Sequence, residues 1–462
     1  MSTLLDCRYI PPLTAAQVSQ PNLHLDDHMN PSTSILWMAL GLIASVLVAS
    51  TDASMEIRSP RVSNGDQHID ILTKIKLKHN VDDRDGENHG EVKVPKGSQL
   101  ITLPVGSKGE KIAVYWPTSV NNAKTEHAFV MMHGRFRDGD RYWSIMDEAL
   151  KSAKESKNFD PGKEAVVVAP QMYSAKLNKG QYDDKTLAWG PGNAWVAGTV
   201  ATHPKGTNLT SMDALDAILD HFSDKNAFPN MKNVTLIGHG GGAQLMNRYA
   251  ATGKDPTSRD IYVRYVVGDP SSSPYFTGHR PVTDKAVANI DTCKGYNNWR
   301  YGFVDFPGTL SSKMNPKDYF GRYLNRDVVN IIGLRDINED NGDQSCMAVL
   351  QGGRKRRDRN FSWWRYINVL ARTQEVLEGF PGNFSGLPDW SDVHPGTIRT
   401  RLAIVEDASH NAEKIFHSKI GRSALFGHYE VDQGWRPDAW HKSHQHKSHQ
   451  HKGHRHKSKH GH

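Results

Sequence analysis

From Gln99 onward, short apolar runs rich in β-branched residues alternate with stretches whose apolar positions recur at helical spacing. The runs predict strands at residues 100–105, 111–116, 128–132, 165–169, 233–237, 262–267, 328–332 and 401–405. Between them, Trp143, Met146, Leu150 and Ala153 share one face of a helix predicted over 142–153. Ser211 is placed to cap a second helix, with Met212, Leu215, Ile218, Leu219 and Phe222 at helical spacing. A third begins at Gly241 or Gly242 and runs to about residue 251, with Leu245, Met246 and Tyr249 inward. This alternation predicts the α/β class: a mostly parallel sheet with helices on both faces. Two long irregular stretches, 172–208 and 271–323, are rich in Gly, Pro, Asn and Trp and are expected to form lids or pocket walls.

The ends read differently. Residues 35–49 (ILWMALGLIASVLVA) carry no charge and no Pro. A membrane span takes about 20 apolar residues and a signal-peptide core about 7 to 15, so the run predicts a secretory signal, with an uncleaved single-pass anchor or a buried core helix as the alternatives. The polar leader before it is long for a signal peptide, and a start at Met29 would shorten it. The expected plan is a leader over 1–53, a polar lead-in over 54–98, one domain over 99–430 and a disordered His/Lys-rich tail over 431–462.

Charge adds one exclusion. Lys+Arg number 57 and Asp+Glu 50, but 441–462 holds six of the basic residues and no acid, so the rest stands at 51 − 50 = +1. Bulk charge therefore gives no reason to expect a specific nucleic-acid partner. Tail histidines His441, His444, His446, His449 and His451 can chelate Zn, Cu or Ni loosely, and below about pH 6 they would charge and favour anionic surfaces. Removing the leader removes Cys7 and leaves Cys293 and Cys346, either a disulfide worth about 3 to 4.5 kcal/mol or two separate buried thiols. Asn208, Asn233, Asn360 and Asn383 head Asn-X-Ser/Thr sequons. The run Arg354-Lys355-Arg356-Arg357 reads as a processing-protease site with cleavage before Asp358, as a solvated loop, or as a chance match to a nuclear-localisation signal.

The chemistry centres on VTLIGHGGGAQLMNRYA, read as strand, tight turn and helix, with Gly238, Gly240, Gly241 and Gly242 at the turn. An early strand ends in His133-Gly134-Arg135, a later one near Asp336, and the last just before His410. With these elements the chain resembles the α/β-hydrolase fold family, and more closely a group of uncharacterised secreted members. The resemblance spans roughly residues 100–426 and extends to FPNMKNV, YNNWRYGF from Tyr296, SCMAVLQGGRKR from Ser345 and HNAEKIF from His410. It implies an order of nucleophile, acid and histidine at positions 240, 336 and 410.

The family elbow is G-x-S-x-G, whereas this chain has glycine at 240. Without the serine hydroxyl, the histidine and acid have nothing to activate, and such a loss costs about 10⁶ in turnover. The resemblance still implies anion-stabilising backbone N–H groups at Gly134, Arg135 and Gly241, and a retained Asp336–His410 pair. Asp269 in VVGDPSS is the competing acid. His239 is expected to point away from the vacancy, and Ser271 to Ser273 to belong to another strand end. The expected function is a protein that binds a small ester-like or acyl ligand with little or no turnover and requires no cofactor. The alternatives are a serine-independent ester or amide hydrolase, and a surface interaction protein acting through its tail. The sequence leaves oligomeric state and ligand open.

Overall fold

The computed structural model describes residues 91–439, apart from 157, 191, 259, 311–312, 395 and 428–429. The expected signal or anchor segment at 35–49, most of the lead-in and the tail histidines lie outside the described residues. No helix among the described residues is long and apolar enough to cross a membrane.

Eight strands form one sheet in the order β1-β2-β4-β3-β7-β8-β9-β10. They are β1 (Ser98–Pro104), β2 (Lys111–Pro117), β3 (His127–Met132), β4 (Ala165–Gln171), β7 (Asn233–His239), β8 (Tyr262–Gly268), β9 (Asp327–Gly333) and β10 (Arg401–Val405). Two short strands, β5 (Tyr173–Ser174) and β6 (Ala188–Trp189), pair apart from it. β1 pairs antiparallel with β2, and β2 antiparallel with β4; every other pairing in the large sheet is parallel. Each predicted strand is present, most of them longer by a residue or two at an end. The fold is the α/β-hydrolase arrangement that the resemblance implies.

Strand alternation supplies the two cores. Ala128, Val130 and Met132 of β3 face one side with Val234 and Leu236 of β7, while Phe129, Met131 and Ile237 face the other. Helices α2 (Ser211–Ser223), α3 (Gly241–Thr252), α4 (Pro316–Asn325) and α6 (Arg356–Leu370) cover the first side. Helices α1 (Gly139–Glu155), α7 (Ala412–His417) and α8 (Lys419–Phe426) cover the second. A one-turn helix, α5 (Cys346–Val349), precedes α6.

Three expectations need correction. The α2 cap is Thr210, not Ser211: its hydroxyl accepts from Met212 and Asp213 N–H while the Asp213 carboxylate accepts from the Thr210 N–H. The basic run at 354–357 is neither a solvated loop nor an open cleavage site. It leads into the first turn of α6, and Arg356 is buried. Asn360, in the same helix, is also buried, and its amide donates to the Pro270 and Arg356 carbonyls. A glycan at Asn360 would therefore need the folded helix opened. Asn208 and Asn383 are exposed, and Asn233 is half-buried at the start of β7.

Cys293 and Cys346 form a disulfide. It ties the irregular 271–323 stretch to α5. A closed loop of 53 residues removes about 4 kcal/mol of unfolded-state entropy on the chain-entropy model. With an unfolding entropy of about 2.1 cal/mol/K per residue over roughly 350 residues, that corresponds to about 5 °C in Tm. Calorimetry on the Cys293→Ser/Cys346→Ser double variant should show this loss; an unchanged Tm would mean that the bridge does not stabilise the fold.

Candidate active site

The turn between β7 and α3 sets the geometry. Gly240 has φ +58° and ψ −112°, and its N–H donates to Gly268 O at the end of β8 (2.9 Å). Closeness rather than dihedral angle explains Gly242, where an added Cβ would lie 2.5 Å from His133 O. The helix can thus start tight against the end of β3. At Gly240, an added Cβ would lie 3.0 Å from His410 Nε2 and 3.3 Å from its Cε1. The position expected to hold a nucleophile is therefore aimed at the imidazole expected to activate it.

Behind His410 stands Asp336, on the turn after β9. His410 Nδ1 lies 3.0 Å from Asp336 Oδ2. The same carboxylate accepts from Arg356 Nε at 2.9 Å and from its terminal nitrogen at 2.7 Å. Burial opposes ionisation of Asp336, but hydrogen bonds and charge from His410 and Arg356 outweigh it and hold the carboxyl below the usual range. Burial, the His239 ring and Arg356 lower the His410 imidazole against the pull of Asp336. A neutral His410 that donates Nδ1–H to Asp336 leaves Nε2 as a free acceptor on the Gly240 side.

The Gly134-Arg135 turn, expected to stabilise an anion, packs against the start of α3. His133 bridges it, with Nδ1 donating to Gly134 O (2.8 Å) and Nε2 accepting from Met172 N–H (3.0 Å). An added Cβ at Gly241 would lie 3.1 Å from Arg135 N, so the first turn of α3 packs closely on the Gly134-Arg135 turn. The Gly241 N–H has no intrahelical acceptor, because it belongs to the first turn.

His239 departs from expectation. As the last residue of β7 it shares a face with Ile237, and its ring lies beside His410 with centroids 4.4 Å apart. Tyr142 Oη contacts its Nδ1 at 3.2 Å. Burial, helped by Arg356 and Arg141 and opposed by Asp336, lowers its pKa to about 3, so the ring is neutral. Asp269, the competing acid, makes no hydrogen bond to either ring: its Oδ2 lies 3.6 Å from His239 Nε2, and burial, with the Asp336 charge, pushes its carboxyl well above the usual range against the pull of His410. Asp269 has φ +48° just after β8, and its Oδ1 accepts from Gly333 N–H at 3.0 Å. The site thus holds one hydrogen-bonded histidine–carboxylate pair, His410 with Asp336, and beside it a buried histidine and carboxyl, His239 and Asp269, that face each other without a hydrogen bond.

A cavity of about 500 Å³ opens over the Gly240 turn. Asn193 and Val196 from the 172–208 stretch and Arg300 from the 271–323 stretch line it, so both irregular stretches serve as walls. The Asn341–Gln344 segment, which leads to the disulfide, adds a third wall that the sequence did not announce. Ser271 lines the cavity too, whereas Ser272 and Ser273 are committed to Arg248, Gln244 and Asn247. Arg356 was also missed. It sits on the buried face of α6 with Asn360, Trp363 and Ile367, and that spacing was the signal that could have found it.

No family model matches the chain, and no curated protein does. Among solved structures it is similar to LpqC, a poly(3-hydroxybutyrate) depolymerase from Bordetella parapertussis, at 16% identity over 75% of this chain and 94% of that one, with a TM-score of 0.46. It is similar to poly(aspartic acid) hydrolase-1 from Sphingomonas sp. KT-1 at 15% identity over 69% and 95% of the two chains, with a TM-score of 0.45. It is also similar to the siderophore hydrolase EstA from Aspergillus nidulans at 11% identity over 71% and 91%, with a TM-score of 0.33.

Proposed function

We propose that this chain is a secreted protein that uses an α/β-hydrolase scaffold to bind a small acyl or ester-like ligand with little or no turnover. One observation carries the reading: the backbone of Gly240 points the missing side chain at His410 Nε2, at 3.0 Å. On this reading His410 would be the base, Asp336 its orienting acid and backbone N–H groups near Gly241 the anion donors, around a position that has no oxygen to attack with. Acyl transfer needs that oxygen; holding a carbonyl or carboxylate needs only the donors and the cavity. The disulfide supports secretion, because such bonds persist in oxidising compartments.

The test uses the natural chain. A fluorophosphonate probe is expected to leave it unlabelled, and hydrolysis of p-nitrophenyl acetate is expected to match that of His410→Ala. Covalent labelling at a serine, or turnover that His410→Ala abolishes, would overturn the reading.

A further inference from the structure

Two buried atoms in the site have no hydrogen-bond partner among the described residues: His239 Nε2 and Asp269 Oδ2. They face each other at 3.6 Å, on side chains only 3% and 0% exposed. That separation is longer than a hydrogen bond, and a buried polar atom without a partner is destabilising. A cation held between them would satisfy both. A third donor stands next to them, since His239, Asp269 and His410 each present one ligating atom within 4.8 Å of the others.

We infer that His239, Asp269 and His410 form a binding site for one divalent transition-metal ion of the zinc and cobalt class, beside the Gly240 turn. Both imidazoles have Nδ1 engaged, His239 with Tyr142 Oη and His410 with Asp336, which leaves each Nε2 for a metal. Outer partners of this kind orient metal-binding histidines. Two imidazole nitrogens and one carboxylate oxygen suit zinc, cobalt, nickel or copper, whereas magnesium and calcium prefer all-oxygen sites. Metal bonds of about 2.0–2.2 Å place ligands about 3.3 Å apart in a four-coordinate site, near the 3.6 Å already present between His239 and Asp269. His410 supplies the remaining closure, and with 31% of its side chain exposed it has room to move. Glycine at 240 matters here too. A serine would bring its hydroxyl to the same Nε2 lone pair that the metal needs, so the lost nucleophile frees a ligand. His239 and His410 both line the cavity over the Gly240 turn. This site goes beyond acyl-ligand binding and does not rest on it.

Cobalt(II) titration of the full, chelator-treated chain tests the site by visible absorption. The expected result is one ion per chain with the intense ligand-field bands of a four- or five-coordinate centre, displaced by zinc(II). Asp269→Asn and His410→Gln should each weaken this binding by at least about tenfold, the least that loss of a ligand should cost given what outer partners are worth. The tail histidines are common to all three proteins and contribute the same weak, graded background. If near-UV circular dichroism shows that Asp269→Asn does not fold, His410→Gln at the cavity rim decides. Graded binding alone in the natural chain, or intense bands that survive in the folded variants, would overturn the site.

Discussion

Gly240→Ser is expected to raise hydrolysis of a short acyl ester at least ~100-fold over the natural chain, against the ~10⁶ that separates an intact triad from one without its serine. The expectation falls short of the full factor for two physical reasons. A side chain at φ +58° is strained, and such strain costs about 1–3 kcal/mol. The new Cβ would also meet His410 Nε2 at 3.0 Å, so the ring must yield by a few tenths of an ångström. It can do so, because its outer side opens to the cavity while its Nδ1 stays hinged on Asp336. Backbone donors expected near Gly241 do not depend on the side chain at residue 240. The variant should therefore gain activity while losing stability, with urea unfolding showing a deficit of about 1–3 kcal/mol. Steady-state rates and fluorophosphonate labelling at position 240 check the gain. A folded variant with neither rate nor label would mean that the Asp336–His410 pair is not placed to activate a hydroxyl there.

The sheet was legible because its strands are bounded runs of β-branched residues. Bounded apolar runs and a Gly-rich turn are local properties of a chain, and they survive without knowledge of what packs against them. Asp336 and His410 are the acid and histidine that the resemblance implies from their place after the last two strands, and their side chains lie 3.0 Å apart. His239 was misplaced because it was read as a neighbour of the turn. Read as the end of β7, two residues beyond Ile237, it falls on the face covered by α1 and α7, where Tyr142 and Phe416 meet it. Asp269 was offered as a rival for one histidine because the second histidine was not counted. The cavity walls could not be read at all: their course depends on contacts between stretches far apart in sequence, such as the disulfide between Cys293 and Cys346. Composition misled at the basic run, since four cations in a row look solvated until the helical phase of one of them is followed inward.

Arg356→Met is expected to destabilise the domain by about 3–5 kcal/mol, the usual cost of removing one partner from a buried ion pair. Arg356 and Asp336 are 4% and 1% exposed and joined by two hydrogen bonds of 2.9 and 2.7 Å. Methionine keeps most of the volume, so the loss reflects the charge left behind, with His410 as the remaining partner of Asp336. Adding Asp336→Asn should recover most of it, because a neutral amide needs no counter-ion and replacing both members of such a pair is often near neutral. Lys355→Met is the internal control. That side chain is 37% exposed and pairs with Glu339 at 3.3 Å, a contact worth about 0–1 kcal/mol at a surface. Urea unfolding at pH 7 on the four proteins separates the two views of the run. If Arg356 and Lys355 cost the same, the run is solvated and the acid that orients His410 is held by something else. If only Arg356 is costly and Asp336→Asn rescues it, the guanidinium is what keeps a buried carboxylate charged behind the imidazole.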